Sequence, residues 1–144
     1  MVQLQTTVIV INSETIRIKT EQDTVFLRNR VAEYAAKIKM GLVNQTKLLT
    51  ASSELVRNML RYAGGGSVLC EVVSQSVLQK GIRLTFIDKG PGIANVPEAM
   101  KDGFSTGKSL GLGLPGAKRL VNLFEISSQV GEGTKIMILK WING

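Results

Sequence analysis

A glycine-rich segment runs from Gly90 to Gly113 and leads directly into a helix that the sequence predicts over residues 115–124. Pro115 suits the first turn of this helix, because an amide hydrogen is not needed there. Glycines before a helix leave free backbone N–H groups at the positive end of the helix dipole, which favours a phosphate group. The segment therefore predicts a loop-to-helix junction that binds an anion.

Two common nucleotide-binding motifs resemble parts of this segment, but neither fits. Gly103 to Ser109 imitates a P-loop, yet three residues rather than four separate Gly103 from Gly107, and no strand precedes it. Gly111 to Gly116 has the spacing of a dinucleotide-binding loop, but it lacks the preceding strand and the later acidic residue. We reject both.

The elements around the segment predict an α+β fold. Strands or a hairpin are expected at 7–11 and 15–19, helices at 23–40 and 45–62, strands at 68–74 and 82–87, and two closing strands at 125–129 and 135–141. This order predicts a two-layer α/β sandwich, in which a mixed sheet carries its helices on one face. The 144 residues contain no linker or repeat, so we expect a single domain over 1–144, with 1–19 as its N-terminal strand segment.

The first helix has a predicted start and a predicted apolar face. Thr20 and Asp23 resemble a capping box, and Gly41 is expected to end the helix. The apolar face is expected to comprise Val25, Leu27, Val31, Tyr34, Ala35 and Ile38.

The composition indicates a globular protein without a membrane segment. The longest apolar runs are too short to span a bilayer, and the N-terminus has no secretory signal. Cys70 is the single cysteine and lies in an apolar run, which is typical of a buried thiol in a reducing compartment, so we expect a cytoplasmic location. The net charge of +7 favours anionic partners, but the basic residues are scattered and only 5% of residues are aromatic, which argues against nucleic acid.

Glu54 and Asn58 lie four residues apart in the second predicted helix. This spacing places their side chains one turn apart on the same face. Carboxylate and amide oxygens are ligands that Mg²⁺ accepts, together with waters and substrate phosphates. The same pair is also common on a solvated helix face, so the spacing alone leaves both interpretations open.

Asp88 follows the predicted strand 82–87 and precedes Gly90 and Gly92. A carboxylate at a strand end can accept a hydrogen bond from an exocyclic amine such as that of adenine, and the glycines let the backbone approach a flat ligand. A plain turn has the same composition. The later segment 131–134, Gly-Glu-Gly-Thr, is by itself a hairpin turn.

Together, the motifs are specific in their order and spacing. They resemble the N, G1 and G2 boxes and the closing threonine of the GHKL (Bergerat-fold) ATPase superfamily, over about residues 20–141: Glu54-x-x-x-Asn58, Asp88-x-Gly90-x-Gly92, Gly111-x-Gly113 and Gly131-x-Gly133-Thr134. A narrower resemblance is to the RsbT-type switch serine/threonine kinases of bacterial stressosomes, in segments 53–58, 62–64, 102–106, 113–120 and 140–141.

The resemblance implies roles for individual positions. Glu54 is expected to be the base that activates the attacking hydroxyl, Asn58 to bind Mg²⁺, and Arg61 to touch phosphate. Asp88 is expected to hold the adenine amine, with Gly90 in the same turn, Gly92 beneath the ring and Thr134 assisting through water. The other ATP-binding residues are expected in a lid over the phosphates: Ser105, Thr106, Gly107, Lys108, Gly111, Leu112, Gly113 and Leu114. Lys108 departs from the smaller, more glycine-rich lid centre of RsbT-type kinases.

The function that the resemblance implies is ATP-dependent phosphorylation of a serine or threonine on a STAS-domain partner of the anti-anti-sigma type, within a stress-signalling partner switch. A complete sensor histidine kinase is excluded because the chain contains no histidine. Gyrase-like relatives need a further domain, for which no residues are left over. Two alternatives stay open: a nucleotide-gated module that binds a regulator such as a phosphatase, and an anti-sigma factor that binds a sigma factor directly and has secondary kinase activity.

Overall fold

In the described part of the chain, five strands form one sheet, and the helices cover one of its faces. The computed structural model describes residues 7–101 and 113–144. The strands are β1 (Ile9–Ile18), β2 (Gly66–Ser74), β3 (Lys80–Asp88), β4 (Leu123–Gln129) and β5 (Gly133–Trp141), in the order β1-β2-β3-β5-β4. The helices are α1 (Glu21–Lys37), α2 (Leu42–Asn58), α3 (Val96–Ala99) and α4 (Gly113–Arg119), and a π-helical turn (Met59–Ala63) follows α2. The expected α+β sandwich with helices on one face is confirmed.

The direction of the strands corrects the expected mixed sheet. All strand pairs among the described residues are antiparallel. The connection through α3 and α4 does return the chain so that β4 runs parallel to β3. However, β5 lies between these two strands and pairs with both. The tight turn after Gln129 forces β5 to run antiparallel to β4, and β5 then fills the position beside β3.

The N-terminal segment is one strand rather than two. We expected a break at Asn12 and Ser13, because both residues favour turns. Instead, β1 pairs with β2 along its whole length, and only the register shifts between Val10 and Asn12. Because β1 is an edge strand, a local shift in register can accommodate the turn-forming residues without ending the strand.

Helix α1 begins at the predicted capping box. Thr20 Oγ1 accepts a hydrogen bond from the Asp23 backbone N–H (3.2 Å), and Asp23 Oδ2 accepts one from the Thr20 N–H (3.0 Å). The predicted apolar face is buried or packed on the core at every position except Val25, which is 57% exposed. Val25 precedes Leu27 by two residues, which places it about 200° away around the helix.

The core lies between the helices and alternate residues of the strands. The strand residues that face the helices include Ile18, Val68, Ile82, Leu84, Phe86 and Ile138. Cys70 belongs to this core as expected, and burial raises the pKa of its thiol to about 12. Helix α4 ends at Arg119 rather than at residue 124, because Leu123 and Phe124 pair with β5.

Helix α2 packs against α1 and α4, and its C-terminal end lies beside the ends of strands β2 and β3.

Within residues 7–101 and 113–144, none of the helices is long and apolar enough to cross a membrane.

Candidate nucleotide site

The C-terminal half of α2 carries a buried carboxylate, Glu54, of which one oxygen forms a hydrogen bond within the described residues and the other does not. The Glu54 residue is 4% exposed, and its Oε1 accepts a hydrogen bond from Arg57 Nη1 at 2.8 Å. Its Oε2 is buried and has no hydrogen-bond partner among the described residues. Leaving a buried acceptor unpaired costs about 1–3 kcal/mol, and more for a charged group. The arrangement therefore fits a carboxylate that receives a donor from a bound ligand.

Asn58 lies one turn beyond Glu54 at the end of α2 and is half-buried. Its side-chain amide forms no hydrogen bond within the part of the chain that the structure describes. A carboxylate oxygen and an amide on one helix face, both without a hydrogen-bond partner in residues 7–101 and 113–144, form a donor and acceptor set that suits a hydrated metal–phosphate group.

The π-helical turn after Asn58 contains Arg61. The guanidinium of Arg61 lies over the Tyr62 ring, 5.4 Å from its centroid, and the residue is exposed. Gly64 ends the turn with φ = 74°, a left-handed conformation that favours glycine. Turns of this kind inside helices frequently lie at functional sites.

Close backbone packing brings the end of α2 to the turn after β3. A Cβ atom on Gly66 would lie 3.0 Å from Met59 Sδ and 3.1 Å from Asp88 Cβ. A Cβ on Gly90 would lie 2.5 Å from the Ala63 Cβ. The helix that carries Glu54 and Asn58 and the turn that carries Asp88 thus meet at one end of the sheet.

Asp88 is held by one backbone N–H from the turn after β3 and one from β5. Its Oδ1 accepts hydrogen bonds from the N–H of Gly90 (2.9 Å) and the N–H of Thr134 (3.3 Å), and Thr134 lies directly opposite it in β5. The second oxygen, Oδ2, receives no hydrogen bond from the described residues. Since Asp88 is half-buried, Oδ2 is an oriented acceptor that an exocyclic amine can reach.

Gly92 is required by its contact with the β4–β5 turn. It has φ = 78°, and an added Cβ would lie 2.2 Å from the Gln129 carbonyl oxygen. The same contact includes a hydrogen bond from the Gly131 N–H to the Pro91 oxygen (2.8 Å). This contact with the turn is by itself enough to require glycine at position 92.

Two residues with evident structural roles were missed by sequence reasoning. Ser128 Oγ accepts a hydrogen bond from the Ile93 N–H (2.8 Å) and lies 2.7 Å from Thr134 Oγ1 and 3.1 Å from the Gly133 oxygen. The sequence feature that could have identified Ser128 is its position on the helix-facing side of β4, where a polar side chain needs a hydrogen-bond partner. Arg57 pairs with Glu54, and its signal was the i,i+3 spacing of opposite charges.

The predicted lid lies largely outside the described residues. This applies to Ser105, Thr106, Gly107, Lys108, Gly111 and Leu112. Gly113, the first residue of α4, has φ = 67°. The Leu114 side chain belongs to the core, so a contact with nucleotide is left to its backbone.

Comparison with known proteins identifies the family of the chain. Residues 43–142 match the family described as Histidine kinase-, DNA gyrase B-, and HSP90-like ATPase. The chain is 43% identical to Serine/threonine-protein kinase RsbT of Bacillus subtilis over 127 residues, which cover 88% of this chain and 95% of RsbT. It is 33% identical to Anti-sigma F factor of Anoxybacillus flavithermus over 124 residues, which cover 83% of this chain and 84% of that protein.

A solved structure shares the fold. The RsbU and RsbW domains of a Mycobacterium tuberculosis protein superpose with a TM-score of 0.63 and 18% identity, over 90% of this chain and 32% of that chain. The expected resemblance to RsbT-type proteins and the expected activity of an ATP-dependent serine/threonine-protein kinase are confirmed. The chain belongs to the family of histidine kinase-, DNA gyrase B- and HSP90-like ATPases, the GHKL ATPases.

Proposed function

We propose that this kinase uses Mg·ATP to phosphorylate a serine or threonine of a STAS-domain protein of the anti-anti-sigma type, in the partner switch of a cytoplasmic stressosome. The support is the 43% identity to RsbT over nearly the full length of both chains. The single structural observation behind it is the buried Glu54, which lies one turn from Asn58 and whose Oε2 has no hydrogen-bond partner in the described part of the chain.

Glu54 is the proposed general base. Its Oε2 would accept the proton of the partner's hydroxyl as the oxygen attacks, and burial would keep competing water away from the carboxylate. When bound, ATP would supply the γ-phosphoryl group with ADP as the leaving group, and Mg²⁺ would supply the positive charge that stabilises the transfer. The chain's own contribution is to orient the two reactants and to hold the proton.

Asn58 is the proposed Mg²⁺ ligand. Its amide oxygen is a hard ligand of the kind that Mg²⁺ accepts, and the remaining ligands would be phosphate oxygens and waters. Arg61 is proposed to contact phosphate. Gly113, the backbone of Leu114, and lid residues Ser105, Thr106, Gly107, Lys108, Gly111 and Leu112 are proposed to donate to the phosphates.

The adenine end of the proposed site is the turn after β3. Asp88 would accept the adenine amine through Oδ2, because Oδ1 is already engaged by two backbone N–H groups. Gly90 and Gly92 would let the ring approach the backbone, and the Thr134 hydroxyl would assist through water.

A second candidate is a nucleotide-gated binding module, which includes direct binding of a sigma factor. The observation in its favour is the 33% identity to an Anti-sigma F factor. In that function, partner binding would depend on nucleotide, while transfer of phosphate would be secondary.

One pair of measurements separates these functions. The partner is retained from native lysate with and without Mg·ATP, its phosphorylation site is mapped, and transfer from radiolabelled ATP is followed for the wild type and Glu54→Gln. We expect the variant to keep nucleotide and partner binding and to lose about 10²–10⁴-fold in transfer. Transfer at the wild-type rate by the variant would exclude Glu54 as the base. No transfer by the wild type to any retained partner would favour the binding module.

A further inference from the structure

We propose that Arg57 is a positioning residue for Glu54, which holds one carboxylate oxygen so that the other is presented to the hydroxyl of the acceptor protein. This inference rests on the proposed role of Glu54 as the base. Arg57 itself would touch neither the nucleotide nor the reacting atoms.

The contact between the two side chains is one-sided. Arg57 Nη1 donates to Glu54 Oε1 at 2.8 Å, and Oε2 has no partner among the described residues. A guanidinium can form a two-bonded fork with a carboxylate, which occupies both oxygens. Among the described residues, a single bond anchors the carboxylate at Oε1, and the buried Oε2 keeps its capacity to accept a hydrogen bond.

The burial of the two partners is unequal. The Glu54 side chain is 5% exposed, whereas the Arg57 side chain is 56% exposed. The pair therefore differs from an ordinary surface ion pair, since one of its charges is withdrawn from water and depends on the other. The exposed arginine can be solvated without the glutamate, but the buried glutamate lacks another cationic partner among the described residues.

A charge argument supports the same role. A carboxylate that lies beside a bound polyphosphate is repelled by it, and the repulsion is strong where water is excluded. The positive charge of Arg57 offsets the charge of Glu54 at 2.8 Å, so the base can remain in the site when nucleotide binds. Loss of Arg57 would free the carboxylate to change its rotamer, and phosphoryl transfer would fall while nucleotide still binds.

A double-mutant cycle tests whether Arg57 acts through Glu54. The variants are Arg57→Gln, Glu54→Gln, the double variant and Arg57→Lys, and the readouts are single-turnover transfer to the partner and ATP affinity by titration. We expect Arg57→Gln to lower the transfer rate about 10-fold or more, which is a part of the rate contribution of a general base. ATP affinity should change less than about twofold. In the Glu54→Gln background, the same substitution should produce no further loss. Arg57→Lys should recover part of the rate, because an ammonium group can hold one oxygen.

Arg83→Gln is the matched control. It also removes an arginine from a part-buried pair with a glutamate (Arg83 Nε to Glu71 Oε1, 2.8 Å), but on strands of the sheet far from α2's end. It should leave the transfer rate unchanged.

Four outcomes would overturn the inference, and they separate its failure from a failure of the proposed function. An equal loss from Arg57→Gln in both backgrounds would show that Arg57 acts directly on nucleotide or partner, and the proposed function would stand. A loss of ATP affinity that accounts for the whole effect would have the same meaning. Absence of transfer by the wild type, or wild-type transfer by Glu54→Gln, would overturn the proposed base and this inference together.

Discussion

The two ends of the site are built in different ways. At the proposed adenine end, the polar side chains are tied to the backbone: Asp88 Oδ1 accepts hydrogen bonds from two N–H groups, and Ser128 Oγ accepts one from the Ile93 N–H. At the catalytic end, Glu54 Oε2 is buried without a partner among the described residues, and Asn58 is similarly without one.

The difference follows from what each end has to do. A recognition surface gains selectivity from fixed acceptors, since a ligand that mismatches them leaves a buried group unpaired. A catalytic group must keep a free hydrogen-bonding position until the substrate arrives. This lowers the stability of the site, and the rest of the fold must compensate for it. Substitutions at the proposed adenine end are therefore expected to change nucleotide affinity, and substitutions at the proposed catalytic end are expected to change metal dependence and the rate of transfer.

The largest effect is expected at the catalytic end, in Asn58→Ala. The substitution removes the proposed metal contact from a half-buried position without opening a core cavity, so the fold should remain intact. Calorimetric titration with and without Mg²⁺ should show that the Mg²⁺-dependent part of ATP affinity is lost. Asn29→Ala, which truncates an exposed asparagine of α1, is the control. Wild-type affinity for Mg·ATP in the Asn58 variant would show that the metal is held elsewhere.

Gly92→Ala should lower the free energy of unfolding if the backbone at the proposed adenine end is rigid. A left-handed φ costs an alanine about 1 kcal/mol. The collision with the Gln129 oxygen adds about 1–3 kcal/mol, because both sides of the contact are backbone. Gly131→Ala has a similar φ of 82° but nothing within 4 Å of the added Cβ, so its loss in urea denaturation should be limited to the conformational cost. Equal losses of unfolding free energy in the two variants would mean that the loop at Gly92 yields easily.

Asp88→Asn tests the fixed acceptor directly. The amide oxygen can replace Oδ1 and keep the N–H groups of Gly90 and Thr134, which turns the NH₂ group toward the adenine amine. A donor that faces a donor costs about 1–3 kcal/mol, or about 5- to 150-fold in affinity. ATP and GTP affinities of the wild type and the variant are the measurement. Similar ATP and GTP binding by the wild type would contradict this role for Asp88.

The parts of the fold that the sequence predicts well depend on local rules. The capping box at Thr20, the strand that leads to Asp88 and the buried Cys70 all follow from nearby residues or from alternation. The motif spacing likewise identifies Glu54 and Asn58 as a pair on one helix face.

The parts that the sequence misses depend on contacts between distant segments. The expected break at Asn12 is overridden because β2 pairs with the whole of β1. The antiparallel order arises because β5 inserts between β3 and β4, which local patterns do not determine. The role of Ser128 depends on the same register, since only the pairing of β4 with β5 places it opposite Thr134.

Ser128→Ala should give the smallest effect and the sharpest view of the adenine end. The substitution removes the acceptor of the Ile93 N–H and the partner of the Thr134 hydroxyl, while the turn keeps its backbone contacts. Loss of one such part-buried hydrogen bond costs about 1 kcal/mol, or about fivefold in ATP affinity. Ser127→Ala is the control, because the neighbouring serine is exposed and alternation places it on the other face of β4. In the Ser128 variant, both the ATP affinity and the protection of the Ile93 amide from hydrogen exchange should decrease. In the Ser127 control, neither should change. If the Ile93 amide became less protected while ATP affinity stayed at the wild-type value, the Ser128 contact would stabilise the turn without shaping the nucleotide site.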